Sequence, residues 1–156
     1  MLGEPFIRHE LELGLGRLRG YGLEVRFSPN ALRGRDYLSR HPEARAADLL
    51  WAFREPEVDM ILCSTGGDDT YRLLPWLFDH NELAEAVTEK IFLGFSDTTV
   101  NHLMLHKVGL STFYGQAFLP DVCEPDREML PYTRRCLEEL LETGAIRQIR
   151  PSDVWY

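Results

Sequence analysis

Residues 90–99 read KIFLGFSDTT, and they decide what kind of fold the chain can adopt. The apolar run, rich in β-branched and aromatic residues, stops at Gly94, as expected for a strand covered on both faces of a sheet. Serine, aspartate and two threonines follow, and these residue types favour the start of a helix. We therefore predict a buried strand that leads directly into a helix, with Ser96 at the turn between them.

The rest of the chain repeats this alternation of strands and helices. DMILCSTGG, residues 59–67, is a second buried strand that runs into a glycine pair. Such alternation predicts an α/β fold with an open, mostly parallel sheet and helices on both faces, a flavodoxin-like three-layer sandwich. We predict helices over residues 4–22, 41–57, 69–78, 81–90, 98–109 and 127–144, and strands over 22–29, 59–64, 90–94 and 111–115.

Right-handed crossovers would bring the carboxyl ends of these strands to one edge of the sheet. Open α/β sheets bind their ligands at that edge. In this chain the edge would carry Gly66 and Gly67 after one strand and Ser96 and Asp97 after the next. The predicted fold thus selects two loops as the candidate site.

Composition narrows the possible partners. The 156 residues carry a formal net charge of -8 at a pI near 5.1, which disfavours a nucleic-acid surface. Neither a membrane-spanning run nor a signal peptide is recognisable. The cysteines, Cys63, Cys123 and Cys136, are odd in number and form no CxxC pair, as in reduced cytosolic proteins. We expect a cytoplasmic protein with no nucleic-acid partner, no membrane partner and no cofactor.

Ser96 admits two interpretations. At a tight strand-to-helix turn its hydroxyl would stand above the sheet, where the backbone N–H groups of the helix start could stabilise an oxyanion. The pattern is not GxSxG, because Thr98 takes the place of the second glycine. Alternatively, Ser96 is an ordinary helix N-cap in a non-catalytic binding or interaction domain. Local pattern alone leaves both open.

The glycine pair is equally ambiguous. Gly66 and Gly67 could let the backbone approach a ligand and, beside Ser96, complete an oxyanion hole. They could also form a tight turn in which Asp68 or Asp69 caps the next helix.

Metal binding is not indicated. His102 and His106 have the i, i+4 spacing of a zinc-binding helix, but Leu103 stands where that motif requires glutamate. We therefore expect no metal.

Several motifs taken together resemble one family. RAADLLWAFREPEVDMILCSTGG, LLPWL, KIFLGFSDTT and GLSTFYG, most of residues 40–120, are similar to the serine LD-carboxypeptidases. That family includes the muramoyltetrapeptide carboxypeptidases and the microcin C self-immunity hydrolases. The resemblance implies that Ser96 is the nucleophile and that Asp97 and Gly67 supply oxyanion-hole amides, with Gly66 and Asp68 as substrate-binding residues.

The same resemblance implies a substrate class. It would be a short peptide ending in a D-amino acid or a peptidyl-nucleotide, and the GGDDT variant, residues 66–70, looks closer to the microcin branch.

The chain also departs from this family. Family members are longer, begin with a strand that would precede Met1, and carry their catalytic Glu and His in a C-terminal domain. We therefore expect an N-terminal domain over residues 1–145, with 146–156 leading toward the missing domain.

His102 and His106 lie about 9 Å or more along the helix from Ser96, too far to act as its base. We expect the isolated chain to be inactive and, because its ends are apolar, to form a homodimer.

Overall fold

A computed structural model of the chain describes Leu2 and residues 7–154. Its centre is a parallel sheet of three strands, β1 (Met60–Leu62), β2 (Ile91–Gly94) and β3 (Phe113–Tyr114), which lie side by side in that order. The predicted open, parallel α/β sheet is confirmed.

Seven helices surround the sheet in the described part of the chain. They are α1 (Arg8–Gly20), α2 (Arg35–Arg40), α3 (Pro42–Arg54), α4 (Leu74–Phe78), α5 (Glu82–Ala86), α6 (Thr99–Lys107) and α7 (Pro131–Thr143). The described residues also include 3₁₀ turns at Thr70–Leu73 and Ser96–Thr98 and a π turn at Phe118–Val122. No helix among the described residues is both long enough and apolar enough to cross a bilayer.

The two faces of the sheet bury separate cores, as a three-layer sandwich requires. Successive side chains of a strand point to opposite faces, so Phe92 and Leu93 of β2 enter different clusters. Phe92 packs among side chains of α3, α5 and α6, including Phe53, Leu83 and Leu105. Leu93 packs among side chains of α1, α7 and the π turn: Leu18, Phe118, Val122, Leu137 and Leu140.

Most predicted elements are present. The buried run at 90–94 is β2, and α6 follows it after one 3₁₀ turn. Pro131 is the first residue of α7, where its missing N–H costs no hydrogen bond. Gly144, with a φ of 67°, ends that helix.

The strand predicted over residues 22–29 is wrong. Residues 23–28 have no regular secondary structure and pair with no strand in the described chain. A cavity of about 1050 Å³ is lined by Leu23, Val25 and Phe27 and also by the residues of β1. The alternating pattern correctly indicates that these apolar side chains pack against the core. A strand also needs a hydrogen-bonded neighbouring strand, and a sequence pattern cannot show whether one is present.

Other differences from the predicted elements are smaller. The stretch between the predicted strand 22–29 and the predicted helix 41–57 contains α2, and the π turn at Phe118–Val122 was not predicted. The helix predicted over 81–90 ends at Ala86, because the following residues bind α3 instead. Thr88 Oγ1 donates to the Phe53 carbonyl at 3.0 Å, and Lys90 Nζ donates to the Ala52 carbonyl at 2.9 Å.

Some predictions fall on residues that the structure does not describe. Residues 4–6 of the helix predicted over 4–22 lie outside the described residues, Phe6 among them, as do Trp155 and Tyr156 at the apolar C-terminal end.

The close packing of α1 against the π turn yields a stability test. A side chain at Gly14 would collide with Cys123 Sγ and lie 3.1 Å from the Phe118 ring, whereas one at Gly16 would meet nothing within 4 Å. We expect Gly14→Ala to lower the free energy of unfolding by about 1–3 kcal/mol through overpacking.

Gly16→Ala is the matched control on the same helix. It should raise the free energy of unfolding by about 0.5–1 kcal/mol, because alanine favours the helix. Urea denaturation of both variants measures the difference, and a Gly14→Ala variant as stable as Gly16→Ala would contradict the described packing.

Candidate active site

Two loops meet where β1 and β2 end. The strands are parallel neighbours with Leu62 opposite Leu93, so residues 63–69 and 95–98 leave the sheet at the same edge. Ser96 is exposed on the second loop. Both loops line the cavity described above, which brings Ser96 together with Gly66, Gly67 and Asp68.

The backbone of Ser96 is left-handed, with a φ of 64°. This conformation costs a residue with a side chain roughly 1–2 kcal/mol. Among the described residues only Asn81 shares it without being glycine. The Ser96 hydroxyl also has no hydrogen-bond partner in the described part of the chain, and the cap position of the turn belongs to Phe95. These features differ from an ordinary N-cap, which would have extended angles and a bonded hydroxyl.

Side chains hold the main chain around Ser96 on both sides. Thr99 Oγ1 donates to the Ser96 carbonyl at 2.5 Å, and Thr98 Oγ1 donates to the Phe95 carbonyl at 2.7 Å. The Ser96 N–H donates to the hydroxyl of Tyr114, at the end of β3, at 3.2 Å. Thr98 and Thr99 therefore fix the main chain of the turn. The Ser96 hydroxyl takes part in none of these hydrogen bonds.

Gly94 and Gly66 provide the close approaches that this turn needs. A side chain on Gly94 would come within 2.8 Å of both Cys63 Sγ and Thr98 Oγ1. A side chain on Gly66 would lie 2.8 Å from Ser96 Oγ and 3.5 Å from the Asp97 nitrogen. Only glycine allows the two loops to approach so closely.

The two glycines of the pair have different neighbours. Gly66 faces the Ser96 hydroxyl, whereas a side chain on Gly67 would lie 3.1 Å from the Asp97 carboxylate. The oxyanion-hole role of Gly67 and the substrate-binding role of Gly66 stay predictions. The exposed Asp68, also on this loop, lines the cavity and forms no side-chain hydrogen bond with the described residues.

Asp97 ties the two loops together through its side chain. Its Oδ2 accepts hydrogen bonds from the Asp69 N–H at 3.2 Å, the Thr70 N–H at 3.0 Å and the Thr70 hydroxyl at 2.5 Å. Asp69 is itself held by Arg45, whose Nη1 lies 2.6 Å from Asp69 Oδ1. Sequence reasoning assigned a role to the Asp97 amide but missed this carboxylate, because the bonds depend on how the loops pack.

His102 has a structural role below the loop. Its Nε2 donates to the Gly94 carbonyl at 3.0 Å, so Nδ1 accepts from the Thr112 hydroxyl at 2.7 Å. Burial lowers the pKa of His102, which favours this neutral ring. With both nitrogens engaged, His102 is not oriented as a base for Ser96.

The described residues offer neither a cysteine nucleophile beside Ser96 nor a cluster of metal ligands. Burial raises the pKa of the Cys63 thiol to about 12, so this cysteine is not a nucleophile at neutral pH. Within residue 2 and residues 7–154, no three His, Cys, Asp or Glu side chains are grouped so that they could hold a metal ion.

The strain at Ser96 can be measured without any activity. Ser96→Gly and Ser96→Ala both remove the hydroxyl, but only glycine adopts a φ of 64° at little cost. We expect the glycine variant to be more stable than the alanine variant by about 1 kcal/mol. Thermal and urea unfolding of the two variants test this, and an alanine variant as stable as the glycine variant would show that residue 96 is not left-handed.

The chain is similar to the proteins of one known family. The family described as the LD-carboxypeptidase N-terminal domain matches residues 3–115. A putative carboxypeptidase of Streptomyces coelicolor is 37% identical over 118 residues, which are 71% of this chain and 36% of that protein. The probable murein peptide carboxypeptidase of Bacillus subtilis is 31% identical over 134 residues, 85% of this chain and 40% of that protein.

A solved structure extends the similarity to the whole fold. The MccF-like protein of Streptococcus pneumoniae, in complex with AMP, is 58% identical and superimposes with a TM-score of 0.98. The match covers 100% of this chain and 46% of that one. The chain thus spans less than half the length of these relatives. The family match and these similarities confirm the resemblance found in the sequence: the chain belongs to the LD-carboxypeptidase family.

Proposed function

We propose that the whole protein is a serine carboxypeptidase or amide hydrolase in which Ser96 is the nucleophile. The observation that carries this proposal is the left-handed Ser96, whose unbonded hydroxyl faces Gly66 at the cavity. A strained backbone that presents a free hydroxyl is common at active sites and has no purpose in a helix cap. Membership of a family of carboxypeptidases supports the same role.

The chemistry would be acyl transfer to Ser96. The Ser96 oxygen attacks the substrate carbonyl carbon while a base takes the hydroxyl proton. The tetrahedral intermediate then expels the amine, which takes up that proton, and leaves an acyl-enzyme. Water, deprotonated by the same base, attacks the acyl carbon and releases Ser96 and the carboxylic acid product.

The negative charge of the intermediate needs hydrogen-bond donors. We propose the Asp97 and Gly67 main-chain N–H groups for this purpose, because backbone donors fixed before the reaction stabilise the charge without reorganising. The position of the Asp97 nitrogen, next to Gly66 and at the start of the turn, supports its part. The Asp97 carboxylate would keep the glycine loop at the distance that an oxyanion requires.

The base would come from outside this chain. Among the described histidines, His102 is engaged at both nitrogens, which supports a catalytic Glu and His in a further domain. We propose that residues 1–145 form the nucleophile-bearing domain and that 146–156 lead to that second domain. The isolated chain would then hydrolyse little or nothing.

Two substrate classes fit this chemistry. One is a short murein peptide ending in a D-amino acid, supported by the relative from B. subtilis. The other is a peptidyl-nucleotide, supported by the similar S. pneumoniae protein, whose structure contains AMP. Gly66 and Asp68, which line the cavity, would contact either substrate. A homodimer and a cytoplasmic location stay predictions.

A serine-directed fluorophosphonate tests the nucleophile in the full-length protein. We expect covalent labelling at Ser96 and its loss in Ser96→Ala, with peptide hydrolysis reduced at least about a thousandfold because no other group replaces the nucleophile. Ser111→Ala changes an exposed serine just before β3 and is the matched control, which should label and hydrolyse like the unchanged protein.

Peptide hydrolysis is measured for the full-length Ser96→Ala variant and also for the isolated chain of residues 1–156. Hydrolysis by the full-length Ser96→Ala variant at the unchanged rate would exclude Ser96 as the nucleophile. Rapid turnover by the isolated chain that depends on Ser96 would show instead that its base lies within residues 1–156.

A further inference from the structure

We propose that Tyr114 is a positioning residue for Ser96, one that holds the nucleophile's main chain in its left-handed conformation. The proposal rests on the proposed function of Ser96 and adds a residue that acts through it. Its basis is a hydrogen bond of 3.2 Å, donated by the Ser96 N–H and accepted by the Tyr114 hydroxyl.

A left-handed serine needs to be held. Without support, the peptide groups on either side of residue 96 would rotate toward the angles that ordinary residues prefer. Thr99 Oγ1 holds the carbonyl of Ser96, and Tyr114 holds its N–H. The two side chains therefore fix both main-chain polar groups of the same residue and leave its side chain free to react.

The sheet places the Tyr114 ring accurately. Tyr114 is opposite Gly94 in the parallel register, and the following N–H, that of Gly115, donates to the Gly94 carbonyl at 3.0 Å. His102 donates to the same carbonyl, and its ring lies 5.5 Å from the Tyr114 ring. The phenol thus extends from a fixed point on β3. That point is opposite Gly94, the residue two positions before Ser96.

Burial does not explain a tyrosine at this position. Tyr114 is 59% exposed, so little of its ring is removed from water. Its oxygen instead accepts a hydrogen bond from the Ser96 N–H at 3.2 Å, and its contacts with the Thr99 side chain and with this N–H lower its pKa. Tyr71 is equally exposed, at 59%, but its hydroxyl has no partner among the described residues.

Tyr114→Phe in the full-length protein removes the acceptor and keeps the ring. We expect the rate of fluorophosphonate labelling at Ser96 to fall about five- to tenfold, the loss expected for one hydrogen bond. The value of kcat for peptide hydrolysis should fall to the same extent, with KM almost unchanged, since the substrate is bound by other groups. Tyr71→Phe is the matched control and should leave both rates unchanged.

A stability comparison in the isolated chain gives a readout that does not need activity. If Tyr114 holds the left-handed backbone, Tyr114→Phe should lower the melting temperature more when residue 96 is serine than when it is glycine. Glycine adopts these angles without support, so the Ser96→Gly background removes the need for the hydrogen bond. A purely structural tyrosine would destabilise both backgrounds equally.

The outcomes separate the two proposals. Labelling of Tyr114→Phe at the rate of the unchanged protein, or an equal loss of stability in both backgrounds, would overturn the positioning role and leave Ser96 as the nucleophile. If the unchanged protein is not labelled at Ser96 at all, the proposed function fails and the positioning role fails with it.

Discussion

The left-handed backbone of Ser96, at the point where β2 turns into α6, is the constraint on which the rest of the site depends. In this conformation the hydroxyl lies beside Gly66 and makes no cap hydrogen bond. The strain is maintained by hydrogen bonds from several directions rather than by one strong contact. Thr99 and Tyr114 hold the two main-chain groups of Ser96, and Asp97 holds the neighbouring loop.

This arrangement is connected directly to the core of the fold. The side chains of β2 alternate between two apolar clusters, so the strand is fixed on both faces and its end cannot shift. Gly94 ends the strand and has no space for a side chain between Cys63 and Thr98. The turn therefore begins from a rigid point, and small displacements of Ser96 would be resisted by the whole sheet. Precise placement of this kind is what the proposed acyl transfer would require.

Much of this could be predicted from the sequence because it depends on local patterns. The continuous apolar runs identified β1 and β2, and their parallel alternation with helices placed Ser96 and the glycine pair at one edge. The strand expected at residues 22–29 was wrong because hydrogen-bonded pairing is a property of neighbours in space. The roles of the Asp97 carboxylate and the Tyr114 hydroxyl could be identified only in the structure. Asp97 and Thr70 are 27 positions apart in the chain, and Tyr114 and Ser96 are 18 positions apart, so each pair meets only after folding.

The most direct test is a crystal structure of the chain at atomic resolution, read at residue 96. The account predicts a φ close to 64°, with Oγ beside Gly66 and the main-chain N–H on the Tyr114 hydroxyl. A right-handed or extended Ser96, with Oγ bonded to an N–H of Thr98 or Thr99, would contradict it, because the serine would then be a helix cap with no free hydroxyl.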